Sequence, residues 1–337
     1  MRLRFSFVLA AVALGAVSAA AQGPDPRELR DAVRHAVTRA YQGRDTGQEQ
    51  TDRFSGKYRI GPDGRVSVSN VAGDITVIAG SGDEVSVEAT KRARRDRSQL
   101  DQVRIEVDNA PGRVDVRTSY PRFANNNVSV EYRVTVPSGV SVELHSVSGS
   151  VKVTGVRGAV RAESVSGTVT AADTPKLELA KSVSGDVSFS GVSTDTDVSI
   201  GSVSGSVRGR SIKAHGLEFT SVSGDVVISD ATCERFGAKS VSGSIEYSGT
   251  IARAGRYDMN SHSGSIRLTL TNPPGFEVTA STFSGSIRSD FPLTIGGDDR
   301  RGGRPGISSR SIRATFGDGS ATLTLGTFSG NIVIEKR

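Results

Sequence analysis

Along most of this chain apolar and polar residues alternate one for one, in short runs. Val66/Val68, Ile75/Val77, Val85/Val87, Val103/Ile105/Val107, Val114/Val116 and Val128/Val130/Tyr132/Val134/Val136 all show it. A period of two is what a strand with one buried face requires. These runs fill 54–137 and are interrupted twice, by "KRARRDRSQLDQ" at 91–102 and by "YPRFANNN" at 120–127. The first reads as a charged loop or a single helical turn, the second as a loop.

From about 138 a longer period is laid over the alternation. "SVSGSV" at 146–151 returns as "SVSGTV" at 164, "SVSGDV" at 182, "SVSGSV" at 202, "SVSGDV" at 221 and "SVSGSI" at 240. Looser copies are "SHSGSI" at 261, "TFSGSI" at 282 and "TFSGNI" at 327, with an early relative, "NVAGDI", at 70. The motif glycines are Gly149, Gly167, Gly185, Gly205, Gly224, Gly243, Gly264 and Gly285, separated by 18 to 21 residues; Gly330 follows after 45. The long gap holds the polar, glycine-rich "IGGDDRRGGRPG" at 295–306. A fixed period near twenty means stacked supersecondary units.

With the copies aligned on Val147, Val165, Val183, Val203, Val222, Val241, His262, Phe283 and Phe328, apolar residues recur five and three positions before and four and six after. In the first copy these are Val142, Leu144, Val151 and Val153. Each coil therefore has two short strands. The step of three up to Val147 marks a corner. This alignment predicts the Val column as part of the core, the glycine against a tight inner wall or at positive φ, and the flanking serines outside. Leu177 and Leu179 fall one position out of phase, so a local register adjustment is expected there. One coil buries about five small side chains, at roughly 1.5–3 kcal/mol each. It must order some nineteen residues at about 1–2 kcal/mol each. Only stacking makes such a coil stable, which predicts an all-β, parallel β-solenoid, right-handed by the usual crossover rule.

The first residues have a different pattern. Arg2 and Arg4 precede an apolar run, Phe5–Val17, and Ala19-Ala20-Ala21 supplies small residues for cleavage, as in a secretory signal. Export through a cleavable signal to the periplasm, cell surface or medium is the expectation, with no transmembrane segment after it. "PDPRELRDAVRHAVTRAYQG" then places Leu29, Val33, Ala36, Val37, Ala40 and Tyr41 at helical spacing, with Pro26 suited to the first turn. An amphipathic helix is predicted over 26–42. The expected organisation is a signal at 1–21, helix and polar linker at 22–53, a strand-rich cap and first coils at 54–137, and repeats with a C-terminal cap at 138–337.

Composition adds restraint. Of 337 residues 5 % are aromatic, none is Trp, and there is one cysteine, Cys233. Cys233 reads as a half-buried small residue in a repeat loop, and a single cysteine precludes an internal disulfide. A net charge of +6 permits contact with anionic polymers without requiring it, and no nucleic-acid motif accompanies it. The histidines at 35, 145, 215 and 262 occupy unrelated repeat positions. No metal-ligand cluster, nucleophile with its base, or paired carboxylates can be assembled, and no cofactor is implied. Two sets of residues are candidates for an interaction surface. One is the motif serines: Ser146, Ser148, Ser164, Ser166, Ser182, Ser184, Ser202, Ser204, Ser221, Ser223, Ser240 and Ser242. The other is the basic run Lys91, Arg92, Arg94 and Arg95.

The repeated S-V-S-G-[DST]-[VI], the leader and the ending "GDGSATLTLGTFSGNIVI" together resemble the bacterial putative-adhesin family of β-strand-repeat proteins, a domain of unknown function. The resemblance covers about 60–337. It implies a parallel β-solenoid in an exported envelope protein, and it brings no catalytic residues. The function expected is a non-enzymatic adhesin, scaffold or interaction module whose partner is an envelope protein or a surface glycan. A periplasmic envelope-stress or regulatory module docking through 26–42 is an alternative. A carbohydrate-active enzyme, with 91–102 and 295–306 as lids, is the remaining one.

Overall fold

In the computed structural model, residues 49–94, 97–121, 127–295 and 310–337 are described. The predicted signal, the 26–42 helix, Arg95 and nearly all of the 295–306 loop lie outside them. Seven strands and one helical turn come first: β1 (Gln50–Arg59), β2 (Arg65–Ala72), β3 (Ile75–Gly80), β4 (Glu84–Ala93), α1 (Ser98–Gln102), β5 (Arg104–Ala110), β6 (Arg113–Ser119) and β7 (Ser129–Pro137). The repeats supply β8 (Ser141–Ser148), β9 (Val151–Thr154), β10 (Val160–Ser166), β11 (Val169–Ala172), β12 (Leu177–Ser182), β13 (Val187–Ser193), β14 (Asp197–Ser202), β15 (Val207–Ser223), β16 (Val226–Ser242), β17 (Ile245–Ser261) and β18 (Ile266–Leu270). The last are β19 (Gly275–Ser284), β20 (Ile287–Ser289), β21 (Thr294–Ile295), β22 (Arg310–Gly317), β23 (Ala321–Ser329) and β24 (Ile332–Lys336). The expected all-β, mostly parallel architecture wrapped around an axis is present, with almost no helix among the described residues.

Each coil has one strand before the motif and one after it. On the first face β6, β2, β8, β10, β12, β14 and the second half of β15 pair in parallel, in that order. On the second face the order is β7, β3, β9, β11, β13 and the first half of β15. From β15 to β17 the strand runs unbroken between the faces. Where β10 meets β12 the register shifts between Val160 and Arg161, the adjustment that the misphased Leu177 and Leu179 predict.

The coils are not stacked in chain order. β2–β3 lies between β6–β7 and β8–β9. At the far end β23 inserts between β17 and β19, parallel to both. The last motif copy is thus an inner rung, and the antiparallel β22, rather than the chain terminus, lies beyond β19. At the near end β5 and the β1–β4 pair add antiparallel strands. Parallel order needs a long return path, which an interposed coil supplies; antiparallel strands lie at both ends, and of these pairings only β5–β6 is a tight hairpin.

The core is thin and continuous. Val142 and Leu144 on one face and Val151 and Val153 on the other are buried, and most coils repeat the pattern. The middle coils hold larger rings. Phe219 lies 6.0 Å from Phe189 and 5.4 Å from Phe236, which meets Tyr247 edge-on at 4.8 Å. Gly209 makes room for them, since a methyl there would fall 2.4 Å from the Phe189 ring. Cys233 is fully buried within β16 rather than half-buried in a loop.

Candidate functional site

The alignment placed the motif valines inside and the serines outside. The structure reverses this for the valine and for the serine preceding it. Val147, Val165, Val183, Val203, Val222 and Val241 are 44–51 % exposed, and Phe283 and Phe328 likewise. Ser146, Ser164, Ser182, Ser202, Ser221 and Ser240 are buried, whereas Ser148, Ser166, Ser184, Ser204, Ser223 and Ser242 are exposed as expected. The alternation simply continues inward from Val142 through Leu144 to Ser146. The corner follows, at Gly149–Ser150, and the inward phase resumes at Val151.

Burying a hydroxyl requires a partner, and the neighbouring coil has one. Ser164 Oγ donates to the Gly149 carbonyl at 2.9 Å, Ser182 to Gly167 at 2.8 Å, Ser202 to Gly185 at 2.8 Å and Ser261 to Gly243 at 2.9 Å. Thr327 and Thr282 do the same to Gly264 and Gly330, at 2.9 and 3.0 Å. At the first rung Asn70 takes the serine's place. Its Nδ2 donates to Gly73 at 2.8 Å and reaches Val130, in a coil that lacks the motif, at 2.7 Å. Asn70 occupies the Gly73 carbonyl, and Ser146 Oγ makes no hydrogen bond; Ser221 and Ser240 also lie outside bonding geometry.

The motif glycine is required by proximity. A methyl on Gly185 would sit 2.3 Å from the Gly167 carbonyl oxygen, and one on Gly205 2.3 Å from that of Gly185. The acidic residue after the glycine bonds the next coil as well. Asp74, Asp186 and Asp225 Oδ1 accept from the backbone N–H of Ser150, Ser206 and Ser244 at 2.7–2.8 Å. Serine, glycine and aspartate thus tie coil to coil, leaving the valine as the outward group.

Following the strand pairing, the outward column runs Val71, Val147, Val165, Val183, Val203, Val222, Val241, His262, Phe328 and Phe283. At about 4.8 Å per rung this ridge is about 43 Å long. Its last three rings are stacked, His262 on Phe328 at 5.0 Å and Phe328 on Phe283 at 4.7 Å. Beside the rungs from Val71 to Val222 lies a groove of about 940 Å³. Its floor is the residue two before each valine: Ser69, His145, Glu163, Lys181, Gly201 and Thr220, in lateral register. Arg117 stands at one end, Glu218 at the other. His145 bridges Glu143 and Glu163, each at 3.2 Å.

Among the described residues the basic run does not form a patch. Strand β4 continues through Lys91 and Arg92. Lys91 bonds Asp52 at 3.1 Å, and Arg92 bonds Glu131 at 3.0 Å and Glu49 at 3.4 Å. These pairs hold β1 and β7 on β4; Arg94 is exposed at the strand end. Among the described residues no group of three His, Cys, Asp or Glu could hold a metal, and no helix is long and apolar enough to cross a membrane.

The sequence carries no separate sign of the ridge, because the exposed serine after each valine is at least as constant as the buried one before it.

Residues 65–335 match the family model described as Toastrack DUF4097. None of the curated proteins matches the chain. Among solved structures it is similar to a "putative adhesin" from Parabacteroides merdae, with 11 % identity, a TM-score of 0.36, and 85 % of this chain and 96 % of that one covered. A "putative lipid binding protein" from Parabacteroides distasonis shows 15 % identity and a TM-score of 0.35, over 83 % and 96 % of the two chains. For a "putative adhesin" from Bacteroides fragilis the figures are 12 %, 0.31, 84 % and 97 %.

Proposed function

The chain belongs to the Toastrack DUF4097 family, and on that footing we propose that it is an exported, non-enzymatic interaction module of the bacterial envelope, an adhesin or scaffold that binds through its ridge and groove. The observation that carries this reading is the outward valine column. The fold needs the serine and the glycine to join its coils. It has no internal use for a half-exposed apolar side chain on every rung, and contiguous exposed apolar surface of this kind marks binding sites. Export follows from the leader-like pattern at 1–21, and the partner is an envelope protein or a surface glycan.

The test is capture of the purified chain by isolated cell-wall and surface-glycan fractions, compared with a Val165→Asp/Val203→Asp variant. Retention of the native chain and loss by the variant is the expected result. Equal retention of both removes the ridge from the function. The regulatory alternative rests on 26–42, which is outside the described residues. The enzymatic alternative gains no support at 91–102, where Glu49, Asp52 and Glu131 are paired with Lys91 and Arg92.

A further inference from the structure

We propose that the groove-flanked half of the ridge, Val71 to Val222, is the contact surface for a second copy of this chain, arranged as an antiparallel two-fold dimer. The inference rests on reading the ridge as an interaction surface and adds a second copy of the chain to the envelope partner proposed for it.

The first argument is commensurability. Six valines at about 4.8 Å spacing make a seam about 24 Å long. A globular partner with no such repeat would meet that period at one or two rungs. A second stack of the same kind meets it at all six. With the two-fold axis between Val165 and Val183, Val71 faces Val222 of the second copy, Val147 faces Val203, and Val165 faces Val183. Only valines pair, and the His262, Phe328 and Phe283 rings, already stacked on one another, stay outside the seam.

The second argument is charge. The same axis acts on the floor residues, whose order across the rungs is Ser69, His145, Glu163, Lys181, Gly201 and Thr220. It sets Glu163 opposite Lys181 of the second copy, and Lys181 opposite Glu163. His145 meets Gly201, where no side chain competes for space, and Ser69 meets Thr220. The Arg117 end of one groove approaches the Glu218 end of the other. A two-fold contact must be self-complementary, and about this point the carboxylate and the ammonium group of the row face each other. Placing the axis half a rung away, on Lys181, would set that lysine against its own copy.

The experiment is sedimentation velocity over a wide concentration range, on the full chain and on variants at exposed or half-exposed positions. The native chain is expected to dimerise reversibly. Glu163→Lys and Lys181→Glu each place like charges across the axis and should weaken the dimer by at least about ten-fold. Mixed in equal amounts, the two variants should recover it. One copy then carries lysine at both positions and the other glutamate at both, so each cross-axis pair is again of opposite sign. An effect confined to the single chain could not be rescued by mixing. Val183→Asp should abolish the dimer, with the unfolding midpoint unchanged at dilutions where both chains are monomeric. A native chain that is monomeric throughout, a mixture that does not recover, or a Val183→Asp dimer would each overturn the proposal. A monomeric chain that envelope fractions still capture would remove the dimer and leave the binding function; a dimer that they do not capture would do the reverse.

Discussion

Ser182 Oγ donates a hydrogen bond to the carbonyl of Gly167, one coil back, at 2.8 Å. That contact recurs through the stack, with threonine replacing serine at 282 and 327. It explains why a small hydroxyl residue precedes an exposed valine so regularly. Within a coil the hydroxyl is a buried polar group; between coils it is a fastener.

Removing it should therefore cost stability and nothing else. Ser182→Ala is expected to lower the free energy of unfolding by about 1 kcal/mol, the net value of one such bond. Urea titration measures it, and capture by envelope fractions should be unchanged.

The valine and the glycine of one motif should respond in opposite ways. Val183→Asp alters an exposed side chain and should shift stability by no more than about 0.5 kcal/mol. Gly185→Ala places a methyl 2.3 Å from the Gly167 oxygen and must push neighbouring coils apart, costing about 1–3 kcal/mol or more. Paired denaturation curves decide between this assignment and the reverse, in which the valine is the core residue.

Cys233 and Tyr132 make stability fall in alkali. Burial raises the Cys233 thiol from its ordinary 9.0 to about 12. It also raises the Tyr132 phenol from 10.0 to about 12, against the opposing effect of its hydrogen bond with Thr118. The unfolded groups lose their protons first, so in that window unfolding releases protons and rising pH favours it. Each group contributes a slope of about 1.4 kcal/mol per pH unit between its two values, and below about pH 9 that stability is fully present. Unfolding midpoints at about pH 8, 10 and 11 should decline progressively, and Cys233→Ala should flatten the first stage of the decline. The Cys233 thiol should also resist disulfide reagents at about pH 8 until the chain is unfolded.

Ala254 holds a φ of +57°, a left-handed conformation that a Cβ disfavours by about 1–2 kcal/mol. Its N–H donates to the Ser320 carbonyl at 3.0 Å, which anchors that conformation. Ala254→Gly relieves the conflict but enlarges the freedom of the unfolded chain, which offsets about 0.4–1 kcal/mol. A net gain of roughly 0.5 kcal/mol is expected by chemical denaturation.

Much of this architecture is legible in the amino-acid order alone. Period-two runs name the strands, and the spacing of the motif glycines names the coils. The impossibility of stabilising one coil by itself makes stacking necessary, and even the slip near Leu177 is visible as two leucines out of phase. The direction of the motif's own side chains is not. Hydrophobicity marks the inside only where water is the alternative, and it marks Val147 and Leu144 alike. Ser146 is buried because the Gly73 and Gly167 coils lie on either side of its own, and Ser182 is satisfied by a Gly167 carbonyl that is in place only once the coils are stacked. Nor can near-identical motif copies reveal their order in space. That the rung of Gly330 lies between those of Gly264 and Gly285 was decided by strand pairing between distant segments. Strands, coil and repeat are therefore written in residue order. Which face of the motif looks outward is settled by stacking, because the partner that allows a serine to be buried there belongs to another coil.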